Sequence, residues 1–179
     1  SGKGAVANNL MEFYICPLSI SYEYDPCDYL KAKEFQLKRD NADYKKQPQD
    51  DLLNMQTGVM GYKGKVVYRL AGLLNSEIAA LAENYSDKST LITAVTTLID
   101  KKIHAGYTIF PCNKIAYDLL LKTDCFSKEY TMMEKLDFER YLEKQIGKID
   151  LENRDDDYLM KKMLEMYANP LINYIAATE

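Results

Sequence analysis

The segment Phe13–Tyr22, FYICPLSISY, contains the strongest strand signal of the chain. Its first half is almost continuously apolar, as in a strand that is buried on both faces of a parallel sheet. Its second half alternates apolar residues with Ser19 and Ser21, a period typical of strands. Pro17 has no N–H to donate, so one side of the strand must be locally unpaired. A strand end that faces a binding site would tolerate this.

A second strand is predicted at Lys65–Ala71, KVVYRLA, after a glycine-rich stretch at Gly61–Gly64. The glycines lack the spacing of phosphate-binding loops, so the stretch is predicted to be a flexible turn. Between the strands, residues 38–64 are polar and charged. They are predicted to form a long surface excursion with about one helical turn, beginning at Asp50 or Asp51.

Helical patterns flank and follow the strands. Asp28 is predicted to cap a helix over Tyr29–Leu37, whereas Ser1–Leu10 is predicted to be a frayed lead-in or the cut end of something longer. From Asn75 onward the apolar residues recur with helical spacing. Tyr107–Phe110 is a short strand or an extended connector, and Pro170 is expected to kink or restart the last helix. The other predicted helix caps are Ser76, Asp87 or Ser89, Asn113, Ser127, and Asn153 or Asp155.

These patterns predict an α/β or α+β fold that is predominantly helical. A small sheet of two to three strands lies in residues 1–74, which include the polar excursion, and a helical region occupies residues 75–179. The chain has 179 residues, enough to bury a core, and its 47% hydrophobic content is that of a globular protein.

Charge and hydropathy exclude several classes of function. The 23 basic and 27 acidic side chains give a net charge of −4, which argues against nucleic-acid binding. No apolar run reaches the ~20 residues of a membrane span, and no secretory signal opens the chain. The sequence predicts a cytoplasmic protein, with peripheral attachment to the inner face of the cell membrane as a variant.

Cysteine and histidine usage argues against metal and nucleophile chemistry. Cys16, Cys27, Cys112 and Cys125 form no C-x-x-C pair, and His104 is the only histidine. A zinc site would need nearly every soft ligand, so no metal and no cofactor is predicted. Buried, reduced thiols are favoured, as in a reducing compartment. A cysteine nucleophile at Cys16 or Cys27 is the least favoured activity, because no second histidine is available as a base.

Two acidic clusters remain. Glu23, Asp25 and Asp28 follow the first strand, at a place where α/β folds bind ligands, although turn and cap duty is favoured. Asp155–Asp157 is interpreted as a solvated helix start rather than a metal site.

The run Ile15–Asp28, ICPLSISYEYDPCD, resembles the fourth signature block of the glycerolipid acyltransferases, the glycerol-phosphate and lysophosphatidate acyltransferase superfamily. In that block a hydrophobic strand carries a proline, and here Ile15, Pro17, Leu18 and Ile20 fill it. The runs SYEYDPCDYLKAKE and DDLLNMQTGVMGYKGKVVYRL are similar to a bacterial group of large acyltransferases. The resemblance spans roughly residues 3–118.

The resemblance implies transfer of a fatty acyl group from acyl-CoA or acyl carrier protein, as co-substrate, to glycerol 3-phosphate or lysophosphatidate. The family catalyses this with a His-x-x-x-x-Asp pair, but here Ile109 stands five residues after His104. Phe110–Asn113 matches only half of the family's Phe-Pro-Glu-Gly block, and it follows the proline strand instead of preceding it. We therefore expect the C-terminal part of a longer enzyme, inactive alone and with no catalytic residue of its own.

Such a part is expected to supply a wall of the acyl or acceptor pocket. The predicted substrate-binding residues are Pro17, Ser21, Tyr22 and Tyr24, with Lys63 attracting a phosphate or an anionic membrane surface. Each also has a structural interpretation, and for the lysine simple solvation is favoured. The expected partners are the upstream remainder of the acyltransferase domain and a membrane surface, without nucleic acid. The alternative is a non-catalytic helical protein-interaction or regulatory module.

Overall fold

The computed structural model describes residues 3–85 and 87–179. The described residues are predominantly helical and contain one small antiparallel sheet, which confirms the predicted fold class. The helices are α1 Lys3–Glu12, α2 Asp28–Asp40, α3 Pro48–Met60, α4 Asn75–Asn84, α5 Lys88–Ala105, α6 Pro111–Leu121, α7 Met132–Ile146 and α8 Asp156–Thr178. The strands are β1 Leu18–Tyr22 and β2 Val66–Leu70.

The N-terminal segment differs from its prediction. The lead-in forms α1, and β1 begins at Leu18 rather than at Phe13. Helix α1 is ordered by packing, because Ala7 is buried in a cluster with Leu74 and Ile78. Tyr14 has a positive φ of 47°, which an extended strand cannot contain, so the strand cannot reach back to Phe13.

The excursion between the strands also differs. Instead of about one helical turn it contains α3, which spans 13 residues. Pro48 occupies the first turn, where a missing N–H has no cost, and the carboxylate of Asp50 accepts the backbone N–H of Gln47 at 2.9 Å. The predicted turn before β2 is present, and Gly64 adopts a φ of 61° in it.

Two helices begin at other residues than the sequence predicts, because other residues supply the capping hydrogen bonds. Asn113 lies inside α6 rather than before it, and its Oδ1 accepts the N–H of Phe110 at 2.8 Å. Helix α7 begins after Thr131 rather than after Ser127. Thr131 Oγ1 accepts the N–H of Glu134 at 3.2 Å, and the Glu134 carboxylate accepts the N–H of Thr131 at 2.7 Å.

Among the other predictions for the helices and connectors, some are confirmed and others are wrong. Asp87 caps α5 as predicted, since its carboxylate accepts the N–H of Ser89 at 2.7 Å. Asp28 is the first residue of α2 and lies buried instead of serving as its cap. Helix α8 continues through Pro170, so the helix does not restart there, which was one of the two predictions beside a kink. Residues 107–110 form no strand and agree with the other prediction for them, a connector.

The described residues divide into two compact units. Unit one comprises the described residues up to Ser21, those of Val67–Thr108 and those of Asn173–Glu179. Unit two comprises Tyr22–Val66 and Ile109–Ile172. Both units draw on residues before and after position 75, and the division at that position stays a prediction.

Each unit has its own apolar core. In unit one, α1, α4 and α5 pack together around Ala7, Leu74, Ile78, Leu91 and Val95. In unit two, α7 packs against α2 and α6. The fully buried apolar side chains of unit two include Ala32, Ile115, Ala116, Phe138, Leu142, Leu159 and Met163.

Candidate functional site

The register of the sheet decides which side chains share a face. The N–H of Ala71 bonds to the carbonyl of Pro17 at 2.9 Å, and the N–H of Glu23 bonds to the carbonyl of Lys65 at 2.9 Å. Both pairs belong to one antiparallel register, and their hydrogen-bonded positions alternate with non-bonded ones. Leu18 therefore lies opposite Leu70, and Ile20 lies opposite Tyr68, in non-bonded pairs.

These four side chains form what we call the apolar sheet face: Leu18, Ile20, Tyr68 and Leu70. All four are exposed, at 41%, 40%, 63% and 73% respectively. The next pair in the register, Tyr22 and Val66, is also exposed and belongs to unit two. A sheet normally turns its apolar face to a core, so this face lacks the covering layer that its composition calls for.

The opposite face of β1 is polar and buried. Ser19 is 3% exposed, and its hydroxyl donates to the carbonyl of Ile103 at 2.7 Å. Ser21 is 9% exposed, and its hydroxyl accepts the N–H of Thr108 at 2.9 Å. Gly106 leaves no room for a Cβ atom against the Ser19 side chain. The end of α5 and the segment after it thus hold the two serine side chains on the buried face. Because side chains alternate along a strand, Leu18 and Ile20 then lie on the opposite, exposed face.

Pro17 is buried at the start of β1, and its missing donor is compensated. In the register above, the absent N–H would have pointed at the carbonyl of Ala71. The Cys16 thiol donates to that carbonyl instead, at 3.0 Å. The donor that Pro17 lacks is therefore missing on the side of β1 that faces β2. The other edge of β1 carries no proline.

Tyr22, Tyr24 and Lys63, which the sequence predicts as substrate-binding, lie in unit two, whereas Pro17 and Ser21 lie in unit one. The N–H of Tyr24 bonds to the carbonyl of Lys63 at 2.9 Å, so these two residues are adjacent. The Lys63 ammonium donates to the carbonyls of Val59 at 3.1 Å and Gly61 at 3.0 Å. That ammonium thereby satisfies carbonyls at the C-terminal end of α3.

The Tyr24 ring is half-buried among other tyrosines. Its centroid lies 4.5 Å from that of Tyr141 and 5.8 Å from that of Tyr62. Burial, with smaller contributions from the neighbouring Cys112 and Glu23, raises the pKa of Tyr24 to about 12. The hydroxyl therefore stays protonated at neutral pH.

Asp28 is a buried carboxylate of unit two. Asp28 is fully buried and accepts four hydrogen bonds. Its Oδ2 accepts the hydroxyls of Tyr141 at 2.6 Å and Tyr167 at 2.8 Å. Its Oδ1 accepts the Gln145 amide at 2.8 Å and the Tyr29 N–H at 2.6 Å. We call Asp28, Tyr141, Gln145 and Tyr167 the Asp28 cluster.

The Asp28 cluster is closed and satisfied. Desolvation raises the pKa of Asp28, and the hydrogen bonds from Tyr141 and Tyr167 oppose that shift. Burial and the adjacent carboxylate raise the pKa of both tyrosines, so their hydroxyls remain donors. The carboxylate is inaccessible to solvent, and the hydroxyls and the amide around it already donate hydrogen bonds to it. We therefore interpret the cluster as a structural connection between α2, α7 and α8 and not as a ligand-binding site.

The cysteines are free thiols. Cys27 and Cys112 are buried, as the sequence predicts, and donate to the carbonyls of Asn54 at 3.3 Å and Glu23 at 3.0 Å. Burial raises the pKa of Cys27, and it raises that of Cys112 to about 12, so neither is a ready nucleophile. Cys16 and Cys125 are exposed, contrary to the prediction of buried thiols.

His104 occupies the last turn of α5, where the sequence predicts a helix-end position. Its ring centroid lies 5.4 Å from that of Tyr107. Within residues 3–85 and 87–179, no group of three or more histidine, cysteine, aspartate or glutamate side chains is arranged to hold a metal ion. In the same part of the chain, no helix combines the length and apolarity needed to cross a membrane.

Sequence reasoning missed the apolar sheet face, although its signal was present. Leu18 and Ile20 alternate with serines in β1, and Tyr68 and Leu70 are spaced by two in β2. The alternation shows that two faces exist, but it does not show that the serine face is the one that α5 covers. No family model, no curated protein and no solved structure matches this chain.

Proposed function

We propose that this chain is the C-terminal, non-catalytic part of a glycerolipid acyltransferase. The complete enzyme would move a fatty acyl group from acyl-CoA or acyl carrier protein to glycerol 3-phosphate or lysophosphatidate. The observation that supports this best is the apolar sheet face on the strand that follows Pro17, which is exposed throughout. An α/β domain covers both faces of such a strand, so the proposal assigns the open face to the rest of that domain.

The chemistry inside the chain agrees with a non-catalytic role. Acyl transfer to a hydroxyl needs a base that takes its proton while the oxygen attacks the thioester carbon. The single histidine, His104, has Ile109 at the position where the family has its carboxylate. The buried carboxylate of Asp28 is enclosed by tyrosine hydroxyls and an amide. The proposal therefore assigns the His-x-x-x-x-Asp pair to residues that precede Ser1.

Among the predicted pocket residues, exposure favours Tyr22, which is 42% exposed. Pro17 and Ser21 are buried, and they fit the proposal as supports that hold β1 in place. The Lys63 ammonium donates to two carbonyls, so a phosphate would have to compete with them.

A protein-interaction module is the alternative that the same exposed face favours, because open apolar patches mark docking surfaces. The two functions differ in what covers the face. In the acyltransferase the cover is part of the same polypeptide, whereas in a module it is a separate protein.

The reading frame upstream of Ser1 separates the two. We expect it to encode a His-x-x-x-x-Asp pair followed by Phe-Pro-Glu-Gly within roughly two hundred residues, about the size of one domain. An immediate start codon would instead favour the interaction module.

Enzyme assays provide the direct test. The short chain and the longer polypeptide are each incubated with acyl-CoA and glycerol 3-phosphate, and with lysophosphatidate as second acceptor. We expect product only from the longer form. A matched longer variant with the upstream histidine replaced by alanine controls for contaminating activity. Activity in the short chain, or none in the longer form with either acceptor, would refute the proposal.

A further inference from the structure

Helix α3 of unit two exposes apolar residues along one side. None of its 13 residues is buried. Its large apolar residues recur with the i, i+3, i+7, i+8 spacing that a helix normally turns toward a core. We call these residues the α3 face: Leu52, Met55, Val59 and Met60. They are between 63% and 80% exposed.

The opposite side of α3 is fixed by close contacts, so the helix cannot rotate to bury the α3 face. The Asn54 carbonyl accepts the Cys27 thiol at 3.3 Å. A Cβ atom on Gly58 would lie 3.5 Å from the Cys27 sulfur, and one on Gly61 would overlap the Pro26 side chain. The helix is therefore folded and oriented before a partner binds, which lowers the entropic cost of association.

The two ends of α3 carry charges of opposite sign. Asp50 and Asp51 lie in its first turn, Lys63 and Lys65 follow its last turn, and the residues between them are uncharged. Asp51 Oδ1 accepts the Lys46 ammonium at 2.8 Å, whereas its Oδ2 has no partner among the described residues. The Lys63 ammonium uses two of its three donors on the carbonyls at the end of α3. Both ends can thus accept a further charged partner.

This arrangement of charges is complementary to itself. If two α3 helices pack antiparallel about a two-fold axis at Gln56, the acidic end of each copy lies beside the basic end of the other. Leu52 then lies opposite Met60 of the second copy. The exposed Gln56 amide, which has no partner among the described residues, meets its symmetry mate, and an amide can both donate and accept. A parallel pair would instead place like charges together.

A lipid surface fits α3 less well than a second copy does. Helices that lie in a membrane interface are rich in Lys and Arg on their polar side. Helix α3 contains neither residue type, and its first turn carries two aspartates that an anionic surface would repel.

We infer that two copies of this chain associate through the α3 face as an antiparallel, two-fold pair. The inference does not rest on the proposed function, because it uses only residues of α3 and its ends. A helix of 13 residues is about 20 Å long, and one face of it is smaller than the ~800 Å² per partner of a standard interface. We therefore expect a weak and reversible dimer.

Sedimentation of the short chain over a wide range of concentrations measures the association, and charge reversal locates it. Asp51→Lys and Lys63→Glu should each weaken the dimer at least roughly tenfold, since each places like charges together at both ends of the pair. An equal mixture of the two variants should associate within about threefold of the unaltered chain, because both ends then join opposite charges. A folding defect in either variant would not be repaired by mixing.

The matched controls are Asp150→Lys and Lys128→Glu, at exposed positions outside α3 and its ends. They carry the same changes in net charge. Neither variant alone should weaken the dimer, and mixing them should not strengthen it.

Four results would overturn the inference. The first is a chain that stays monomeric at every concentration. The second is a dimer that neither Asp51→Lys nor Lys63→Glu weakens, which would assign the contact to another surface. The third is a loss in both variants that mixing does not restore. The fourth is a monomer that binds vesicles of phosphatidylcholine and phosphatidylglycerol and loses this binding in Val59→Glu, which would assign the α3 face to a membrane.

Discussion

Unit two buries the carboxylate of Asp28, and unit one exposes the apolar side chains of its sheet. Both reverse the usual placement of residues, but among the described residues only the buried carboxylate has partners that compensate for its placement. Asp28 has four hydrogen-bond donors around it, all from unit two. The apolar sheet face has no cover among the described residues, with Leu70 73% exposed. The Asp28 cluster therefore completes a core within unit two, whereas the apolar sheet face stays open, as the proposed function expects.

The largest effect is expected from Asp28→Ala. The hydroxyls of Tyr141 and Tyr167 and the amide of Gln145 would lose their acceptor, and each buried unsatisfied donor costs roughly 1–3 kcal/mol. Because Tyr141 and Tyr167 can partly pair with each other, the total loss should be about 3 kcal/mol. Chemical denaturation followed by circular dichroism measures it.

The matched control for this variant is Asp43→Ala, at an exposed aspartate, with an expected change within about 0.5 kcal/mol. Asp28→Asn keeps one acceptor and should cost less than Asp28→Ala. Equal stability of the Asp28 and Asp43 alanine variants would show that the cluster does not hold unit two together.

A smaller loss is expected from Gly106→Ala, which tests the serine face. The added Cβ would overlap the Ser19 side chain, and overpacking of this kind costs about 1–3 kcal/mol. Gly72→Ala is the control, since a Cβ there meets nothing within 4 Å. The double variant with Ser19→Ala should recover part of the loss. A Gly106→Ala variant as stable as Gly72→Ala would mean that the end of α5 does not pack tightly against β1.

The pH dependence of stability distinguishes the buried carboxylate of Asp28 from carboxylates near the surface. Desolvation raises the pKa of Asp28 in the folded state above its unfolded value, so the folded protein binds this proton more tightly. The group's contribution to stability is therefore full below the unfolded pKa of about 4 and is lost as pH rises through the folded pKa. Carboxylates with lowered pKa values nearer the surface, such as the exposed Asp87 and the half-buried Asp155, act in the opposite direction.

The informative quantity is the stability of Asp28→Asn minus that of the unaltered chain. It should become more favourable as pH rises from 4 to 7, because the variant has no proton to lose. Unfolding free energies at several pH values measure it. A difference that falls with pH would mean that the carboxylate is stabilised in its charged form.

The smallest effect on stability is expected from Tyr68→Lys on the apolar sheet face. Because Tyr68 is 63% exposed, the change should alter the free energy of unfolding of the short chain by less than about 0.5 kcal/mol. It should, however, lower binding of an apolar fluorescent dye. The control Thr96→Lys, at another exposed position, should leave dye binding unchanged. A large destabilisation by Tyr68→Lys would mean that the ring is part of this chain's own core.

Much of the fold was predictable because it is local. Periodicity identified the helical C-terminal half, and strand propensity identified both β1 and β2. The helix α3 was underestimated because Pro48 resembles a break when it in fact begins a helix. The Asp28 cluster was not predictable, since its tyrosines and amide come from α7 and α8, more than a hundred positions along the chain. The orientation of the sheet likewise depends on a distant contact, that of Ser19 with the end of α5.

Hydroxyl-radical footprinting of the short chain and of the longer polypeptide can show whether the catalytic domain covers the apolar sheet face. If the apolar sheet face is covered by the catalytic domain, oxidation of Tyr68 and Leu70 should fall at least fivefold in the longer, active form. The 80%-exposed side chain of Met60 on α3 provides a reference for unrelated surface. Unchanged oxidation of Tyr68 and Leu70 in an active enzyme would contradict the claim.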